Sequence, residues 1–180
     1  MELTTIPIDD VMPPVFRPVL HAWFDRRATG TCPTTAAMDP FVVPALAAHV
    51  VLIQVEGEDY TYRIVGESIR QIVQEPLKGR SVRAVMGDTE YYRLVTAQFR
   101  MAVARRWPYY SIHYCLRPDD QTQIGAWRIV LPYTDGERVT RLMNFQLFDV
   151  KAGPGTEISA QDLLPRTVFW IAAPGGGGPE

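Results

Sequence analysis

Tyr60-Thr61-Tyr62-Arg63-Ile64-Val65-Gly66-Glu67-Ser68-Ile69 decides how this chain is read. Aromatic and β-branched residues run into a glycine and then into a short helical segment. The stretch continues to Leu77-Lys78-Gly79-Arg80-Ser81-Val82. Strand, glycine, short helix, glycine is a way for a small sheet to hand over to the helical wall of a cavity. Just upstream, Val51, Ile53 and Val55 alternate against Leu52, Gln54 and Glu56, and Glu56-Gly57-Glu58-Asp59 is a polar turn. Residues 50–65 therefore predict an antiparallel hairpin.

Downstream of Gly66 the pattern predicts short helical segments to about Arg83, with Glu67–Val73 the clearest and Pro76, Gly79 and Gly87 as punctuation. A longer helix is expected from Asp88-Thr89-Glu90 to about Arg106, burying Tyr92, Val95, Phe99 and Ala102. Trp107-Pro108 ends it, because a residue before proline is pushed out of the α region. Three strands follow: Tyr109–Arg117, Gln121–Pro132 and Arg138–Val150. They are joined by turns at Pro118-Asp119-Asp120 and Thr134-Asp135-Gly136-Glu137. The last thirty residues lose periodicity. Leu163–Ala172 fits a short strand or a helix, and the Gly- and Pro-rich end from Ala173 to Glu180 is expected to be disordered.

Toward the N-terminus, Val15, Phe16, Val19, Leu20, Trp23 and Phe24 form one apolar stripe at helical period, entered through Pro13 and Pro14 and closed by Arg26, Arg27 and Gly30. Asp39-Pro40 reads as the start of a second, short helix through about His49. The expected class is α+β: a five-stranded antiparallel sheet with helices inserted after the second strand, plus N-terminal helices. The expected organisation is a helical cap over 1–49, the main domain over 50–150, and a C-terminal extension over 151–180.

Composition sets bounds on function. The chain has 180 residues, a length for one domain, with ordinary hydrophobic (47%) and charged (21%) fractions. A net charge of -2 and scattered basic residues argue against a nucleic-acid surface. The start carries no basic-then-apolar leader, and no apolar run approaches the ~18 residues of a membrane span, so a cytoplasmic protein without a membrane segment is expected. Cys32 and Cys115 stand far apart, without metal-type spacing, as in a reduced chain. No nucleophile elbow, P-loop, zinc-protease motif or dinucleotide glycine pattern occurs, and no enzymatic activity is expected.

The order of elements resembles a PAS domain, and more narrowly a bacterial PAS-like family of short stand-alone proteins. The likeness is carried by the helix with Trp23, by Asp39-Pro40, by Tyr62-Arg63 with Gly66 and Ile69, by Leu77-Lys78-Gly79-Arg80, and by Leu131-Pro132-Tyr133-Thr134-Asp135-Gly136-Glu137-Arg138-Val139. It covers roughly residues 20–148. It implies a sheet curled around a cavity closed by helices, and sensing or signalling rather than catalysis. It fixes no cofactor, since PAS-like domains hold haem, flavin, small acids or nothing. With no kinase, cyclase or DNA-binding segment in the sequence, signalling is expected to run through contact with another protein.

The candidate ligand-binding residues are Arg63, His113, Tyr114, Trp127, Arg128 and Asn144. Aromatic walls with a few polar groups suit a small-molecule cavity. Arg128 or Arg63 would fix an anionic ligand by charge-assisted hydrogen bonds. The plainer alternative is a filled core, with Arg128 reaching solvent or paired with a carboxylate. His113 lies mid-strand and would be the haem ligand if there were one, although a satisfied sheet residue is the simpler reading. Adduct-forming flavin chemistry, as in light-sensing relatives, needs a cysteine in the helical wall, and residues 66–83 contain none. Phe16, Leu20, Trp23 and Phe24 are the candidate interface. Their stripe must be buried either on the chain's own sheet or on a second copy in a homodimer, and the dimer is the expectation. The expected function is thus a sensory domain acting through protein contact and gated by a small ligand. The alternative is an interaction module with a filled core.

Overall fold

The computed structural model describes residues 3–27, 32–73, 75–116, 123–149 and 167–179. Seven strands form one sheet: β1 (Thr5–Ile6), β2 (Val50–Glu56), β3 (Asp59–Val65), β4 (Tyr109–Leu116), β5 (Gln123–Asp135), β6 (Arg138–Asp149) and β7 (Thr167–Ile171), in the order β1-β7-β4-β5-β6-β2-β3. Strands β2 to β6 are the five antiparallel strands expected from the alternation. The α-helices are α1 (Arg17–Asp25), α2 (Glu67–Val73), α3 (Val82–Met86) and α4 (Glu90–Arg105), the last three lying between β3 and β4 as expected.

The sheet has seven strands rather than five because the far side of β4 is not left as an open edge. β7 pairs antiparallel with it, Tyr109 opposite Trp170, and β1 pairs parallel with β7, Thr5 opposite Trp170. Unpaired strand edges invite association, and two short terminal strands cover this one. The end of the chain, expected to be disordered, makes a turn in which Gly176 N–H donates to Ala173 O at 2.8 Å. Gly175 and Gly176 supply the positive φ it requires, +95° and +96°.

Two sequence boundaries move for local reasons. The helix expected from Asp39 begins only at Pro44, as a 3-10 helix to His49, because Val43 before the proline is held extended. Asp39 Oδ1 instead accepts from Phe41 N–H at 2.8 Å, closing a side-chain turn. β5 runs past Pro132 to Asp135. β4 leaves β5 at Val130, so Pro132 sits where one side of β5 no longer needs an N–H donor. The N-terminal segment takes the vacated edge: Thr134 N–H donates to Pro33 O at 2.9 Å.

The N-terminal stripe is packed inside its own chain. Phe16, Leu20 and Trp23 are fully buried and Phe24 is 8% exposed. They join one apolar cluster with Ile129, Leu131, Met143 and Phe145 of the sheet. Trp23 meets Phe24 and Trp107 edge to face, and Arg27 lies over Trp107 with 4.2 Å between guanidinium carbon and ring centroid. The expected dimer through Phe16, Leu20, Trp23 and Phe24 is therefore corrected. These side chains cover their own sheet and offer no free face to a second copy.

The Pro132 carbonyl anchors this cap. It accepts from Trp23 Nε1–H and from the Cys32 thiol, both at 2.9 Å. Burial pushes the Cys32 thiol up to about 12, so it stays protonated and able to donate. Replacing Trp23 with Phe removes one anchor and leaves a void. Chemical denaturation of the variant is expected to show a loss of about 1–3 kcal/mol.

Candidate functional site

A cavity of about 170 Å³ lies between the sheet and the helices that follow β3. Its floor is built by strand alternation. Val51 and Ile53 of β2, Tyr62 of β3, Arg128 of β5, and Asn144, Gln146 and Phe148 of β6 share one face of the sheet. Its wall comes from Ile69, Ile72 and Val73 of α2, Leu77, Met86 of α3, and Tyr91, Val95 and Phe99 of α4.

Local chemistry sets the wall in place. Gly66 ends β3 with its N–H donating to Val50 O at 2.7 Å, and its carbonyl accepts from Ile69 and Arg70 N–H at 3.2 Å, opening α2. A Cβ at Gly66 would lie 2.3 Å from the Ala48 carbonyl oxygen, so only glycine fits. The loop after α2 is stitched to β3: Gly79 N–H donates to Tyr62 O at 2.7 Å, and Tyr62 N–H to Arg80 O at 3.0 Å. Gly79 makes this possible at φ +83°. Ser81 and Thr89 cap α3 and α4, accepting from Ala84 and Tyr92 N–H at 3.0 and 3.1 Å.

Of the six expected ligand residues, the structure brings Arg128 and Asn144 to the cavity. Arg128 is 3% exposed. Its Nη2 donates to Gln98 Oε1 at 2.5 Å and its Nε to Ser111 Oγ at 3.4 Å, and the guanidinium carbon lies 5.9 Å from the Phe99 ring centroid. Among the described residues no carboxylate pairs with it, so neither the solvent-reaching nor the carboxylate-paired alternative holds. Asn144 is also buried, and its Oδ1 has no hydrogen-bond partner.

Trp127 falls on the opposite face, since neighbours along a strand point opposite ways and Arg128 faces the cavity. Arg63 is exposed and donates to Gln54 Oε1. Its neighbour Tyr62 faces the cavity, so alternation turns Arg63 away, and a bulge follows at the same point. Ile53 pairs with Tyr62 and Leu52 with Ile64, which leaves Arg63 as the extra residue. His113 is fully buried beside the cavity and does not line it. The side chain of Tyr114 lies outside the described residues.

His113 Nε2 stands 3.3 Å from Gln146 Nε2, and its ring is 6.1 Å from that of Tyr91. An amide N–H donating to Nε2 puts the ring proton on Nδ1, which has no partner. Burial, then the nearby Arg128 charge, hold the His113 pKa well below 6.5. The same burial keeps the Tyr62 phenol, at the cavity floor, protonated.

Gln98, Ser111 and Gln146 were not singled out from the sequence. Gln98 carried a legible signal: it sits three residues after Val95 and beside Phe99, a polar residue within a buried helical stripe. Ser111 and Gln146 flank Arg128 across the sheet, and only the register reveals that.

Five antiparallel strands, helices inserted after the second, and a cavity between the two layers complete the pattern. The fold is PAS-like. No protein-family model matches the chain, and no curated protein matches it. Among solved structures it is similar to one described as "Structure of an RNA-binding Light-Oxygen-Voltage Receptor", at 20% identity and a TM-score of 0.43, over 70% of this chain and 38% of that one. It is also similar to one described as "Flavin Analogue Sheds Light on Light-Oxygen-Voltage Domain Mechanism", at 18% identity and a TM-score of 0.47, over 63% of this chain and 87% of that one. Among the described residues no helix is long and apolar enough to cross a membrane, and no cluster of three His, Cys, Asp or Glu could hold a metal ion.

Two outcomes test the site's construction. Gly66→Ala must displace the Ala48 backbone, and a loss of about 1–3 kcal/mol in urea unfolding is expected, with the exchange of α2 amides accelerated. For His113, the folded state resists protonation while the unfolded chain accepts a proton near pH 6.5. Stability is therefore expected to fall as pH drops through 6.5, levelling off only below the depressed folded value. Between pH 7.5 and 5.5, His113→Gln should show a shallower decline in Tm than the parent. Parallel declines would remove His113 as a source of the pH dependence.

Proposed function

We propose that this PAS-like domain is a sensory module whose cavity takes a small ligand and whose output passes through contact with another protein. The observation that carries the reading is the cavity itself, with one buried guanidinium in a lining that is otherwise apolar and neutral among the described residues. A module with a filled core has no use for either feature. The cavity's scale also selects among ligands. A cavity of about 150 Å³ holds a benzene-sized guest, whereas a haem or flavin needs far more room, so a compact organic molecule is favoured here. No catalytic constellation accompanies the cavity among the described residues, and the reading assigns no enzymatic role. The signalling partner is a protein rather than a nucleic acid, consistent with the net charge of -2. The partner's surface is not the α1 stripe, which is buried.

The wall offers a route for the signal. α2 and α3 have seven and five residues, too short to be stable helices alone, so they depend on what they pack against. A ligand in the cavity adds contacts to both. The test is amide exchange of the full chain with and without a panel of compact organic molecules, neutral and anionic. At least one is expected to raise Tm and slow exchange within 67–73 and 82–86. Unchanged exchange and Tm across the whole panel would favour the ligand-free interaction module instead.

A further inference from the structure

The buried charge narrows the ligand class, taking the ligand-gated reading above as its premise. A guanidinium withdrawn from water is costly unless it is paired and its donors are satisfied. Arg128 has five N–H donors. Ser111 takes one through Nε and Gln98 takes one through Nη2, and both acceptors are neutral. Among the described residues Nη1 has no acceptor, and no acidic side chain lines the cavity. Both N–H groups of Nη1 and one of Nη2 are left, and a carboxylate is the acceptor that takes two guanidinium N–H groups at once.

We propose that the cavity binds a small monocarboxylate, its carboxylate on Arg128 and its apolar body against Val51, Ile69, Val95 and Phe99. Three observations fix the class. Among the described residues the lining holds one cation, which leaves a second carboxylate without a partner; this selects a monoanion over a dicarboxylate. The volume of about 170 Å³ admits a single ring or a short branched chain. Asn144, which the strand register sets diagonally from Arg128 on the same face, has an unpartnered buried Oδ1 for a second polar contact, such as a ligand hydroxyl.

The experiment compares benzoate with benzamide, which has the same shape and no charge, by titration calorimetry on the full chain. Benzoate is expected to bind at least about tenfold more tightly, the scale of a charge-assisted hydrogen bond, and succinate is expected not to compete. Equal affinities for benzoate and benzamide would overturn the carboxylate assignment and leave the ligand gate standing. Binding of neither, together with no response to any other compact molecule, would remove both. Arg128→Met should abolish the preference for benzoate while keeping benzamide binding. Arg63→Gln, on the exposed bulge, should leave both affinities unchanged. Because the benzoate–benzamide comparison is made on the unaltered protein, a failure of Arg128→Met to fold does not affect its outcome.

Discussion

The close approach of Gly66 to the Ala48 carbonyl fixes the geometry on which the rest depends. At that point β3 stops, the chain crosses over the 3-10 helix ending at His49, and α2 starts. A side chain there would push the strand end away from the helix and tilt the cavity wall with it. The hydrogen bond from Gly66 to Val50 ties the same point to the first residue of β2, so the hairpin and the wall share one anchor. The Gly79–Tyr62 and Tyr62–Arg80 bonds then return the loop to β3 less than one strand's length away. The wall is thus tied to the sheet by backbone hydrogen bonds on both sides of α2, with Ile69 packed into the core between them.

Two kinds of packing meet across the sheet. On the outer face large side chains pack around Trp23, Phe24 and Trp107, with Trp23 and Cys32 donating to the Pro132 carbonyl and Trp107 to that of Ile171. On the inner face the row Ser111, Arg128, Gln146 places a cation and two neutral groups in register, and Gln98 descends from α4 to meet them. Removing a cation's counter-charge is the unusual choice. Burial, and after it the Arg128 charge, keeps His113 neutral. An internal carboxylate would have neutralised Arg128 at lower cost in stability.

Much of this was legible in the sequence where side-chain period and turn chemistry act locally. Alternation in Val50–Glu56, the Asp135-Gly136 turn, and the caps at Ser81 and Thr89 specify their elements without reference to anything distant. Arg128 and Asn144 could be named because polar residues in central strands stand out against an apolar pattern. Arg63 misled because its neighbour Tyr62 takes the cavity face, and the bulge that follows turns Ile64 outward as well, with no local signal to mark it. Trp127 misled through its neighbour, since adjacent strand positions cannot both face one cavity. β7 falls within Leu163–Ala172, which fitted a short strand or a helix, but β1 was hidden because its partner β7 lies more than a hundred residues away in the chain.

The contrast between the two faces bears on how such a domain can respond. The outer cap is fastened by tryptophan ring contacts and buried donors. Part of the inner wall is made of two helices of seven and five residues, with residues that meet a space not filled by protein, beside the longer α4. Helices this short owe their order to tertiary contacts, and each contact added in the cavity therefore changes their stability directly. An occupant need not move the sheet to be felt. Under the ligand-gated reading proposed above, it only has to alter how often α2 and α3 are ordered for a second protein to read the difference.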